Sequence, residues 1–255
     1  MNLIIKRIKK IRMILSQQGF GPFFSKLFFR VVYELPFVAL ILERFILKGS
    51  LERRFSYIYK LNFWNNLESA SGGGSTKNVT TNLRATLPNL LANFQVKSLC
   101  DAPCGDFTWM REIITNLDIK YTGVDIVPDL IDRLKTFTND HIYFEHGDIR
   151  SFDFNGFDLI LVRDCLFHFS YEDIDLFLQN LSTCDYKYLL TTSYYPDFDF
   201  ENKNIATGDF RRIDLLSPPF NFPHKFINEV ADWAEPEARR YLYLWEKNPV
   251  PIPLS

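Results

Sequence analysis

Between Val96 and Tyr194 the apolar residues follow two alternating rhythms. The short runs VKSLCDA, KYTGVDI, IYFEHGDI, FDLILVRD and KYLLTTSY have the length and composition of strands. The stretches between them, FTWMREIITNL, PDLIDRLKTF and YEDIDLFLQNL, space their apolar residues three and four apart, as amphipathic helices do. Asp106 stands where it would cap the first of these helices, and Pro128 falls in the first turn of the second. Ser170 and Asp173 form a capping box for the third. Strands alternating with helices predict an α/β fold, a mostly parallel sheet covered on both faces. After Tyr195 the alternation stops in a long polar, proline-rich segment, and such segments in compact domains usually carry function. KFINEV and RRYLYLWEK read as two later strands.

Upstream the rhythm is helical. Ile4, Ile8, Ile11 and Leu15 recur at helical spacing with lysines and arginines between them, so residues 1–60 are expected to form a helical extension and 61–255 the main domain. The loop Ser71–Thr76 is too glycine-rich for regular structure. A helix is expected from about Val79, with Leu83, Leu87, Leu90 and Leu91 on one face and Pro88 as a point of kinking or splitting. The greasy run Leu27–Leu47 is interrupted by Arg30, Glu34, Pro36, Glu43 and Arg44 and is not expected to span a bilayer.

Charge sharpens this division. The net charge is −2, yet residues 1–30 hold seven basic side chains and no acid. A basic head on an acidic body points to an anionic surface for the head and speaks against nucleic acid as the partner of the body. Two readings of the head stay open: a helix lying on anionic lipid, or one packed on its own domain or in a homodimer, the second being favoured. The four cysteines, at 100, 104, 165 and 184, lack zinc-site spacing, so free thiols in a reducing cytoplasm and no metal site are expected. The location expected is cytoplasmic, with the head at the inner face of the membrane under the first reading.

The chemistry lies at the strand ends, where open α/β sheets bind ligands. Asp101 ends the first strand, Asp125 the second, Asp148 follows the third and Asp164 the fourth. An acid about 20 residues past the first turn is a device for ribose hydroxyls, which suits Asp125. Asp148 is placed to accept from an adenine amino group. Asp101, beside the first turn, would repel a pyrophosphate and attract the amino group of methionine. Neither the dinucleotide fingerprint nor the phosphate-loop motif occurs. Among a dinucleotide, a nucleoside triphosphate and S-adenosylmethionine, the third fits best.

The ordered set DAPCGDF, TGVDI, HGDI and FDLILVRD resembles the motifs of the class I S-adenosylmethionine-dependent methyltransferases over roughly residues 62–247, although Pro103 and Phe107 stand where glycine is usual. The resemblance implies a Rossmann-like sheet with S-adenosyl-L-methionine as cofactor. It implies that Asp101 holds the methionine amino group and that the turn of Pro103 and Gly105 passes close to the cofactor. Asp125 with Ile126 would take the ribose, Asp148 with Ile149 the adenine, and Arg163 would offer its backbone carbonyl. The sequence also resembles a smaller bacterial group that carries W-N-N-x-E-S-x-S-G-x-G-S ahead of the fold and R-D-C-x-x-H after strand four, which implies surface-glycan or capsule modification.

The [DN]-P-P-[YF] signature of amino-methylating enzymes is replaced by RDCLFHF. An oxygen nucleophile must lose a proton, and His168 suits that task, with Asp164 four residues earlier orienting its ring. Arg211 and Arg212 are expected to bind a phosphate or carboxylate of the acceptor, beside Tyr194 and Tyr195. Arg84 is expected to pair with the methionine carboxylate, and the loop SASGGGST to wrap a phosphate or close over the cofactor. The acceptor expected is a small anionic sugar, sugar phosphate or phosphoramidate precursor of a surface polysaccharide. The rival readings are an inactive cofactor-binding subunit, an NAD-dependent oxidoreductase and a nucleic-acid methyltransferase.

Overall fold

A computed structural model describes residues 49–247, apart from 61, 65, 198, 236 and 237. The basic head and the apolar run expected before residue 49 lie outside the described residues. Among those described, no helix is long and apolar enough to cross a membrane.

The helices are α1 (Leu51–Lys60), α2 (Thr81–Asn93), α3 (Arg111–Ile114), α4 (Pro128–Leu134) and α5 (Tyr171–Thr183). The strands are β1 (Ser98–Asp101), β2 (Lys120–Asp125), β3 (Ile142–His146), β4 (Phe157–Val162), β5 (Tyr186–Tyr194), β6 (Asn228–Ala231) and β7 (Arg240–Glu246). They form one sheet in the order β3-β2-β1-β4-β5-β7-β6. Strands β1 to β5 run parallel, and β7 is antiparallel to both β5 and β6. Reversal of strand order at β1 and β4 opens a crevice at their carboxyl ends.

The apolar pattern explains the layering. β4 sits near the middle and is buried on both faces from Leu159 to Val162, as a central parallel strand must be. Edge strand β3 alternates instead, with Ile142 and Phe144 buried and Tyr143 and Glu145 exposed. One face of the sheet packs on α5 through Phe177, Leu178 and Leu181, the other on α2 through Leu83, Leu87 and Leu90. Each such side chain contributes roughly 1.5–3 kcal/mol by burial. That continuous leucine face carries α2 unbroken through Pro88.

Two local expectations change. The regular part of the helix after β1 is only Arg111–Ile114. Phe107, at φ 59°, cannot begin a helix, and the Asp106 carboxylate is mostly engaged elsewhere. Helix α1, assigned by pattern to the extension, packs on the sheet domain through Leu51 and Ile58. Ser170 caps α5 as expected by accepting the Asp173 amide, 3.2 Å away, while its own amide donates to Thr207.

Candidate active site

The turn after β1 is tied to the chain that precedes α2. Asp106 Oδ2 accepts from the Ser69 hydroxyl and the Ala70 amide, both at 2.8 Å, and Ser71 Oγ accepts the Asp106 amide at 2.8 Å. Gly105 lies in the left-handed region at φ 55°, and a Cβ there would stand 2.3 Å from Ser71 Oγ. Glycine is therefore required twice, by backbone and by space.

At the end of β2, Asp125 Oδ2 accepts the Gly105 amide at 3.1 Å and Oδ1 the Val127 amide at 3.0 Å. Burial pushes this carboxyl up to about 6 against those amide bonds. Past β3, Asp148 is held by Arg150, whose Nε lies 3.0 Å from each carboxylate oxygen. Arg150 also reaches Asp173 on α5, fixing Asp148 at the edge of the crevice.

The end of β4 carries a buried cluster. Arg163 Nε and Nη2 form a bidentate pair with Asp232 at 2.8 and 2.9 Å, and Nη2 also donates to the Gly74 carbonyl at 2.7 Å. Its guanidinium lies over the Trp109 ring. Asp164, at φ 51°, stands between Arg163 and Arg240, 3.4 and 3.3 Å away. A Cβ on Gly74 would meet Asp164 Oδ2 at 2.3 Å. The glycine-rich segment is thus pinned to the strand ends by a charge cluster, and its centre is a short 3-10 turn, Gly73–Ser75.

His168 ends the 3-10 turn Leu166–His168. Its Nδ1 donates to the Asp209 carbonyl at 2.7 Å, which leaves Nε2 to carry the lone pair of the neutral ring. Trp64 and Phe210 lie beside the ring, with centroids 5.6 and 5.8 Å away. Burial lowers the His168 pKa from its ordinary 6.5.

These elements line a partly open cavity of about 100 Å³. Of the residues singled out from sequence, Pro103, Gly105, Asp125, Ile126, Asp148, Ile149, Arg163, Asp164 and His168 line it. The others do not. Asp101 is buried, and its Oδ2 accepts the Tyr121 hydroxyl at 2.8 Å. Arg84 is drawn to Glu112 at 2.8 Å and to the Lys77 carbonyl, away from the cavity. The extended segment after β5 sends Arg211 inward and Arg212 outward to Asp197, so the two arginines do not converge. Strand alternation likewise separates buried Tyr194 from Tyr195, which is 56 % exposed against Tyr241. Asp164, expected to orient His168, is not hydrogen-bonded to its ring: the Asp164 backbone is left-handed and its carboxylate meets the arginines, while Nδ1 of His168 meets the Asp209 carbonyl. For Arg163, the side chain rather than the carbonyl is the prominent group.

Several site residues escaped the sequence reading. Leu51, Phe55 and Tyr59 of α1 line the cavity, and their spacing of four is a helical face that periodicity offered. Trp64 lay inside a quoted motif without a role. Asp232 directly follows β6 and Arg240 opens β7, and nothing local marks them.

Asp101 gives a pH test. Burial raises its carboxyl from 3.8 to about 7. The stability associated with its proton is full below 3.8 and is lost as pH rises through about 7. Asp101→Asn keeps an acceptor for Tyr121 and carries no such penalty. Thermal or denaturant unfolding should show the variant gaining on the wild type between pH 4 and 8, by on the order of 3–4 kcal/mol. A constant difference across that range would contradict the burial of an ionising group here.

Residues 99–184, about a third of the chain, match a family profile described as a methyltransferase domain. No curated protein sequence matches the chain. Solved structures do. A Leishmania major SAM-dependent methyltransferase is 13% identical with a TM-score of 0.57, covering 80% of this chain and 89% of its own. Magnesium protoporphyrin IX methyltransferase from Synechocystis, with bound SAM, is 12% identical at TM-score 0.51, covering 77% and 98%. Human N-acetylserotonin methyltransferase, in complex with SAM, is 16% identical at TM-score 0.51, covering 74% and 57%. At these identities the structural likeness speaks for the fold, and the profile match speaks for the domain. Residues 99–184 match a methyltransferase domain, and they lie on a sheet that shares the Rossmann-like fold of these methyltransferase structures.

Proposed function

We propose that the enzyme transfers the methyl group of S-adenosylmethionine to an oxygen of a small acceptor, with His168 as the base. S-adenosylmethionine is the cofactor. The observation that carries the reading is the charge of the cavity wall. Among the described residues, Asp125, Asp148 and Asp164 line it; Asp148 is paired with Arg150 and Asp164 with Arg163 and Arg240, which leaves Asp125 as the acid with no ion pair, while Arg163, the one arginine in the lining, is held by Asp232. Such a wall suits a ligand bearing a sulfonium and an ammonium and opposes a diphosphate.

When bound, the cofactor supplies an electrophilic methyl on positive sulfur. Asp125 offers lone pairs to the ribose hydroxyls, and Asp148 with Ile149 receives the adenine. Ser71, Ser75 and Arg163 would receive the methionine end. His168 Nε2 would take the proton of the acceptor hydroxyl as that oxygen accepts the methyl group. Proximity and exclusion of water by α1 and Trp64 supply most of the rest.

A sugar or sugar phosphate is the acceptor class put forward. The aromatic faces of Trp64 and Phe210 beside His168 suit the apolar face of a ring. The link to surface glycans rests on the sequence motif around Trp64. Arg211 is buried and Arg212 is paired with Asp197, so neither stands ready to bind an anionic group of the acceptor. The test incubates methyl-labelled S-adenosylmethionine with a panel of sugars, sugar phosphates and amines, and locates the label by mass spectrometry and NMR. Methyl on a sugar oxygen is the expected result. Methyl on nitrogen, or affinity for NAD without affinity for S-adenosylmethionine, would overturn it.

A further inference from the structure

Arg211 is 8 % exposed, and its Nε and Nη2 have no hydrogen-bond partner among the described residues. It makes no ion pair with any carboxylate among those residues, unlike Arg163 on Asp232 and Arg212 on Asp197. Burying a lone guanidinium is costly, and burial pushes this one down to about 10, still charged at neutral pH. What Arg211 does hold is the turn bearing His168. Its Nη1 donates to the Leu166 carbonyl at 3.3 Å, and its backbone amide donates to the Phe167 carbonyl at 3.1 Å. The same strip supplies the Gly208 amide to the His168 carbonyl at 2.8 Å and the Asp209 carbonyl to Nδ1. Residues 208, 209 and 211 thus hydrogen-bond the turn from one side, and the Phe210 ring packs on it.

We propose that Arg211 is a positioning residue for His168, which fixes the turn carrying the imidazole and sets an uncompensated buried charge beside it. The inference rests on the reading of His168 as the base. Several groups act on the ring. Asp164 and the Asp209 side chain favour its protonated form, and so does the bond to the Asp209 carbonyl. Burial and the Arg211 charge oppose them, while Trp64, Phe167 and Phe210 contribute only apolar surface. Asp164 is already paired with Arg163 and Arg240, so removing Arg211 would leave the Asp209 side chain and the Asp209 carbonyl acting on the imidazole with no cation opposing them. The guanidinium lies over the Tyr171 ring, 5.6 Å from its centroid, a placement that keeps it charged without neutralising it.

The test follows the His168 ring by NMR in the full chain, assigned by its loss in His168→Asn, alongside the pH dependence of kcat. Arg211→Gln removes the charge and is expected to raise the His168 midpoint by about one unit, with the acid limb of kcat moving the same way. Arg211→Lys keeps the charge and is expected to leave the midpoint in place while lowering kcat through the looser turn. Tyr171→Glu, at the first position of α5 where an acid is tolerated, sets a carboxylate against Arg211 and is expected to raise the midpoint even if the Gln variant does not fold. A midpoint unmoved in Arg211→Gln and Tyr171→Glu overturns the inference, and if the Gln variant does not fold the Tyr171→Glu result decides alone. A midpoint that rises while kcat keeps its acid limb would support the role of Arg211 on the ring and reject His168 as the base. Turnover lost in His168→Asn with no midpoint shift in the other variants would do the reverse.

Discussion

Asp125→Ala is expected to weaken S-adenosylmethionine binding by roughly 100-fold or more, measured by calorimetry on the folded variant. The carboxylate does two jobs at once. It accepts the Gly105 and Val127 amides, one on each oxygen, and so locks the first turn to the end of β2. Its remaining lone pairs face the cavity, where two ribose hydroxyls would donate. Each charge-assisted bond is worth roughly 1.5–3 kcal/mol, so losing two outweighs any single apolar contact in the wall. Asp125→Asn should fare little better, since one end of an amide is a donor and would oppose an amide donor already in place. The effect also has a pH signature. Because burial raises this carboxyl to about 6, wild-type affinity should decline as pH falls through that value, and the variants should lack the decline. Full affinity in Asp125→Ala would remove the ribose assignment.

His168→Ala should lower kcat by roughly 100- to 10,000-fold and leave cofactor affinity nearly unchanged. The ring lines the cavity with Nδ1 committed to the Asp209 carbonyl, so only Nε2 is free to accept a proton. His168→Asn separates chemistry from packing, because its amide can still donate to that carbonyl but cannot take a proton. Both variants should be slow, and Asn should be the better folded. In the wild type, turnover should fall on the acid side at a pH below the ordinary histidine value of 6.5, because burial lowers the pKa and only the neutral ring is a base. An acid limb that persists in both variants would assign the base elsewhere.

The sequence by itself determined the order of strands and helices from Val96 to Tyr194 and the placing of Asp125, Asp148, Asp164 and His168 around one cavity. It could do so because period-two and period-3.6 burial are local, and because parallel strands send their carboxyl ends to one edge. Only the tertiary structure decided which charges face one another. Arg84 went to Glu112, Arg212 to Asp197, and Arg163 to Asp232, an acid 69 residues away in the chain. A buried ion takes whatever partner the packing brings nearest, and that partner is set by strand order, not by spacing along the chain. The same holds for α1, whose apolar face was legible as a helix but whose place over the cavity became visible only once the sheet it covers had formed.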